Sequence, residues 1–278
     1  MTANKENMGY KAYEKLEFKD DFMFGKVMED LDLCHDVLEC LLQRSIEKLV
    51  DADIQREFKF TSDGKPIRMD VFSSTEQEVF DSEVQNLNKK SVASLFLPQR
   101  TRFYQSSIDA DYMKKGYSYK RLPESTILFV CTFDPFKKGL ARYTFQERCA
   151  EDYGLYLGDR TTKIFFNCTY KGEDISDDLR KLYEYMDTGT TGNVLTERIN
   201  EAVIKARNIE EWRSLYMKEM VLLMDAKEEG REEGRKEERR NTEIERRNTE
   251  IERRRADEAE ARVRELEARL ALVGGSIS

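Results

Sequence analysis

The sequence predicts an α/β domain followed by a charged helical tail. Three observations lead there. Extended runs rich in β-formers alternate with helix-spaced stretches between residues 15 and 225. One of those runs, "STILFVCTF", is apolar almost throughout, as a strand covered on both faces would be. Beyond residue 225 apolar residues thin out and charge takes over. The polar opening "MTANKENMGYKAYE" reads as a loose N-terminal tail. The expected division is therefore 1–14, 15–225 and 226–278.

The elements follow in order. "FKDDFMFGKVMEDLDLCHDVLECLLQRSI" places apolar residues at Phe22, Val27, Met28, Leu31, Leu38, Leu41 and Leu42, a broadly helical spacing. "DIQREFKF" and "IRMDVFSS" read as strands separated by the turn signal "SDGKP", and "EVFDSEVQ" as a third strand. "RTRFYQSSIDADYMKKG" reads as a helix capped by Gly116. "STILFVCTF" is the buried strand, "ARYTFQ" and "KIFFNCTY" are further strands, and helices are expected from about Asp177 to Met224.

The tail has 14 Lys and Arg against 16 Asp and Glu from residue 225 onward, so it is nearly neutral and suited to i,i+4 pairs. It contains "NTEIERR" twice in succession, Asn241–Arg247 and Asn248–Arg254. Ile244 and Ile251 are seven residues apart. Ala259, Val263, Leu266, Leu270 and Val273 follow in steps of four and three, in a different heptad phase. A solvated single helix and a short self-associating coil both fit this pattern. In the second case the partner would be another copy of the chain, giving a homodimer through the C-terminal helix.

Composition narrows the chemistry. Charged residues make up 37% and the formal net charge is -8, which is unlike a simple basic DNA-binding module and compatible with carboxylates that hold a divalent metal. The five cysteines are scattered and never form CxxC, against a disulfide framework or a zinc ribbon. His35 is the sole histidine, which removes HExxH and most histidine-based triads. No apolar run is long enough for a transmembrane helix and the N-terminus lacks a signal-peptide core. No membrane role and a cytoplasmic location are therefore expected.

The stretch "RMDVFSSTEQEVFDSEVQ" raises the question of a site. In a strand, Glu83 and Gln85 share one face. A turn at "SSTEQ" would set two strands side by side, letting Asp70 and Glu83 converge. Two close carboxylates repel unless a proton or cation lies between them, and hard oxygen ligands favour Mg²⁺ or Mn²⁺. Spacing alone leaves two readings open: a solvated acidic hairpin face, or a metal site for phosphodiester hydrolysis. On the following helix Arg100 and Tyr104 share a face, with Gln105 near Arg102. Arg100, Arg102, Lys114, Lys115, Lys120 and Arg121 make this region locally basic, suited to phosphate or to ordinary surface charge.

Asp70 followed by Glu83-Val84-Gln85 resembles the PD-(D/E)xK nuclease signature in its D…ExQ variant. "KDDFMFGKVM", "LPQRTRFYQSSIDADYMKKGYSYKRLP", "ILFVCTFDPF" and "ARYTFQERC", in that order, resemble segments of the recombination-promoting nuclease/transposase family of that superfamily. "EEGREEGRKEE" is similar to the Glu/Gly/Arg-rich ends of its members. The resemblance covers roughly residues 17 to 225. It implies a restriction-endonuclease-like fold, a mixed central sheet flanked by helices, and Mg²⁺-dependent cleavage of double-stranded DNA, with Mn²⁺ an alternative ion. By that resemblance Asp70 and Glu83 are catalytic metal ligands. Gln85 takes the place of the superfamily lysine, and Asp21 is the acidic position of the first helix. Arg100, Arg102, Tyr104 and Gln105 form the DNA-contacting motif. Met69 stands where the signature has proline, which makes no bond to metal. A neutral Gln85 can orient water but cannot act as a base near neutral pH. The same fold with lost chemistry, a catalytically inactive DNA-associated oligomeric scaffold, is the alternative.

Overall fold

A computed structural model describes residues 11–58, 67–86, 96–113 and 118–274. The "SDGKP" turn, Lys114, Lys115 and Gly116 lie outside the described residues. The protein divides into two compact units, residues 1–216 and 217–278.

The first unit is an α/β structure built on a mixed six-stranded sheet in the order β1-β2-β3-β4-β6-β5. The strands are β1 (Asp51–Phe58), β2 (Ile67–Ser74), β3 (Glu78–Gln85), β4 (Glu124–Cys131), β5 (Arg142–Phe145) and β6 (Thr161–Asn167). β1, β2 and β3 form an antiparallel meander, β3, β4 and β6 run parallel, and β5 closes the far edge antiparallel to β6. β3 and β4 are buried along nearly their whole length, consistent with central strands covered on both faces.

The helices of this unit are α1 (Asp21–Met28), α2 (Leu31–Leu42), α3 (Leu97–Tyr112), α4 (Asp177–Thr188) and α5 (Val194–Arg207). The first apolar stretch, read as broadly helical, forms two helices. Asp30 interrupts it because its carboxylate accepts from the backbone N–H groups of Asp32 and Leu33, starting a new helix instead of continuing the old one. α3 starts three residues before Arg100, with Pro98 in its first turn, and ends at Tyr112. It makes the crossover between the parallel strands β3 and β4. Its residues Leu97, Tyr104 and Ile108 pack on Phe72, Val79, Ile127, Phe129 and Phe165. α1 packs on β1 and β2, and α2 packs on β1.

Gly25 lets α1 approach the sheet closely. A Cβ at that position would lie 2.7 Å from Ile54 Cγ2 and 3.8 Å from the Asp70 carbonyl oxygen. Of the stretch 1–14 read as a tail, residues 1–10 lie outside the described residues, while Lys11 and Tyr13 are engaged with the rest of the unit. Tyr13 is buried and its hydroxyl donates to the Ala206 carbonyl at 2.7 Å, while the Tyr216 hydroxyl donates to the Lys11 carbonyl. Cys34, Cys40, Cys131, Cys149 and Cys168 are all free, and His35 lies against the Ile46 carbonyl at the end of α2.

The second unit is helical. α6 (Glu210–Gly274) is 65 residues long and passes through Gly230 and Gly234 without interruption. Among the described residues no helix is long and apolar enough to cross a membrane.

Candidate active site

The hairpin between β2 and β3 decides where the carboxylates fall. Thr75 closes its turn: the Thr75 N–H donates to the Glu78 carbonyl, and the Glu78 N–H donates to Thr75 Oγ1, both at 2.9 Å. This sets the register Val71↔Ser82, so that one step further Asp70 stands opposite Glu83. A one-residue slip would move Glu83 to the other face.

At this pair each strand uses a carboxylate to bind the other's backbone. The Asp70 N–H donates to Glu83 Oε1 at 2.9 Å, and the Val84 N–H donates to Asp70 Oδ2 at 3.2 Å. Both side chains are thereby held by main chain rather than left to rotate.

Arg100 closes the site from α3. Its Nη2 donates to Glu83 Oε2 at 2.7 Å, its Nη1 to Gln85 Oε1 at 3.0 Å, and Nη2 also to the Tyr104 hydroxyl at 2.7 Å. Gln85 in turn donates Nε2–H to the Val84 carbonyl at 2.9 Å. The neutral amide therefore orients the guanidinium, which also lies 5.2 Å from the ring centre of Phe129.

Burial and mutual repulsion push the clustered acids toward their protonated forms. Burial, and then the charge of Asp81, pushes the Glu83 carboxyl up to about 8, against the pull of Arg100. Burial, with Glu83 and Asp21 beside it, holds Asp70 well above the usual carboxylate range. Asp21, in the first turn of α1, is raised by partial desolvation and by Asp20, with Arg68 and Arg100 opposing.

The sequence reading missed Asp81. It precedes Glu83 by two residues and so shares its face; it is fully buried, and among the described residues neither carboxylate oxygen has a hydrogen-bond partner. Burial and Asp70 raise it well above an ordinary aspartate. The alternation Asp81, Glu83, Gln85 was the available signal.

Asp70, Glu83, Gln85, Arg100 and Tyr104 thus come together, with Asp21 near enough to add to the field on Asp70 and Glu83. The other two residues of the α3 motif do not join them. Gln105 is buried, and its Nε2 donates to Ser125 Oγ and Asp109 Oδ1. Arg102 is exposed and lines an open cleft of about 500 Å³ with Gln105, Ser106, Asp109 and Lys163. A larger cleft of about 730 Å³ lies among α2, α4 and α5, lined by Asp36, Arg44, Asp178 and Arg198. Neither cleft is lined by Asp70 or Glu83.

Among the described residues no group of three or more His, Cys, Asp or Glu side chains has the geometry of a metal site. The donors at the hairpin still have the chemistry of a hard divalent cation's ligands: two opposed, charge-stressed carboxylates within the field of a third. Comparison of the chain with protein-family models, curated proteins and solved structures finds no match.

Proposed function

We propose that the protein is a metal-dependent DNA endonuclease with a restriction-endonuclease-like domain, acting in recombination, on mobile elements or in defence. The observation that carries this reading is the reciprocal clasp of Asp70 and Glu83. Two carboxylates are held face to face at the cost of strongly raised protonation, and Asp21 adds to the same field. Structural acids are rarely crowded in this way, whereas functional sites often are.

Asp70 and Glu83 would hold Mg²⁺ or Mn²⁺. Such an ion would polarise a phosphoryl oxygen and supply an activated water. The residues of the chain have separable tasks. The backbone N–H groups of Asp70 and Val84 fix the carboxylates. Arg100 offsets their charge and, with its guanidinium at the rim, is suited to a backbone phosphate of double-stranded DNA. Gln85 and Tyr104 aim Arg100. Arg102, exposed two residues further on, suits a second phosphate contact.

One observation favours the second reading, an inactive DNA-associated scaffold. Both Glu83 oxygens are already engaged, one by the Asp70 N–H and one by Arg100. Plasmid cleavage with Mg²⁺ or Mn²⁺, compared between wild type and Asp70→Asn, separates the two. Metal-dependent nicking lost in the variant supports the nuclease. DNA binding without cleavage by the wild type supports the scaffold.

A further inference from the structure

The two copies of "NTEIERR" lie within the uninterrupted helix α6, with Ile244 49% and Ile251 42% exposed. Wound as heptads, they place Asn241 and Asn248 at a, and Ile244 and Ile251 at d. The flanking positions then have one sign each. Glu245 and Glu252 occupy e; Arg240 and Arg247 occupy g.

We infer that residues 240–254 of α6 form a parallel, in-register two-stranded coiled coil with a second copy of this chain. The charge pattern selects both partner and direction. In a parallel pair each g residue meets the e residue of the partner's next heptad, which joins Arg240 to the partner's Glu245 and Arg247 to the partner's Glu252. Two-fold symmetry repeats both pairs. In an antiparallel pair g meets g and e meets e, which sets arginine against arginine and glutamate against glutamate.

The next g residue marks the end of the charge pattern. Arg254 would meet Ala259, which offers no charge, and it bonds Glu250 of its own helix at 3.3 Å instead. Asparagine at a favours two strands in register, because its amide pairs with its counterpart and is left unsatisfied in other arrangements. It also weakens the seam. Two heptads of this kind give a concentration-dependent dimer rather than a permanent one. The inference is independent of the proposed activity, since it uses only residues of the second unit.

Sedimentation equilibrium of the full-length protein tests it, at ~50 mM and ~500 mM salt to vary the screening length. The dimer fraction should rise with protein concentration and fall with salt. Arg240→Glu with Arg247→Glu should weaken dimerisation by at least about tenfold, and adding Glu245→Arg with Glu252→Arg should restore it, because the swapped charges match again only in a parallel pair. Circular dichroism checks that each variant keeps its helix. A wild type that stays monomeric, a dimer indifferent to the charge reversal, or a fourfold variant that fails to recover would each overturn the inference.

Discussion

Arg100 Nη2 lies 2.7 Å from Glu83 Oε2, a bond that ties helix α3 to the strand carrying the candidate site. The two ends of this bond differ in environment: the Glu83 side chain is 1% exposed and that of Arg100 is 28% exposed. Removing the arginine leaves a buried carboxyl without its counter-charge, while removing the glutamate leaves an arginine that water can still reach.

The first prediction uses that asymmetry. Arg100→Ala should destabilise the protein by about 2–3 kcal/mol, less than a fully buried pair would lose because solvent already screens the arginine. In a Glu83→Gln background the same change should cost at least about 1 kcal/mol less, since the stranded carboxyl is gone. Urea unfolding of the four proteins measures the difference.

The second concerns pH. The Glu83 carboxyl ordinarily titrates near 4.5 and stands at about 8 in the folded chain. Between these values the folded state binds more protons than the unfolded state, so stability falls as pH rises. The contribution is fully present below about 4.5 and lost as pH passes through about 8. Asp70 and Asp81, raised in the same direction, add to the fall. Metal-free protein should therefore melt at a lower temperature at pH 8 than at pH 6, and Glu83→Gln should flatten that decline. Thermal unfolding across this range checks both.

The third concerns the seating of α1. Gly25→Ala would bring a Cβ within 2.7 Å of Ile54 Cγ2, a branched side chain with little room to yield. The expected cost is about 1–3 kcal/mol by overpacking. Because α1 also carries Asp21, DNA cleavage should fall further than the stability loss alone requires. Parallel thermal and cleavage measurements separate the two effects.

The fourth distinguishes the two arginines of α3. Arg102 is exposed, so Arg102→Ala should leave the melting temperature unchanged. It should reduce DNA affinity alike for all sequences and lower the slope of log affinity against log salt by about 0.9. An unchanged salt slope would assign Arg102 to the surface alone.

The strands and the hairpin were legible because their signals are local. Period-two patterning around Asp70 and Glu83, with a turn at "SSTEQ" between them, suffices to set the two acids opposite each other. What could not be read depends on contacts between distant segments. The bond that Gln85 accepts from Arg100 was out of reach because its partner comes from a helix residue fifteen positions on. Gln105 looked available to DNA, yet β4 brings Ser125 within 2.7 Å and buries it. Tyr13 looked like part of a tail until α5 and α6 enclosed it, through Ala206 and Tyr216. Asp81 escaped notice because a buried acid with no partner is a feature sequence rules weigh against.

The most direct measurement of the central claim is cleavage of supercoiled plasmid with Mg²⁺ or Mn²⁺ by the wild type and by Asp70→Asn. Asp70→Asn keeps the shape of the side chain and removes one of the two opposed charges, so the folded domain should melt at the same temperature or higher. The account predicts metal-dependent nicking or linearisation by the wild type, abolished by chelator, and none above background by the variant. Equal cleavage by both proteins, or none by the wild type with either ion, would contradict it.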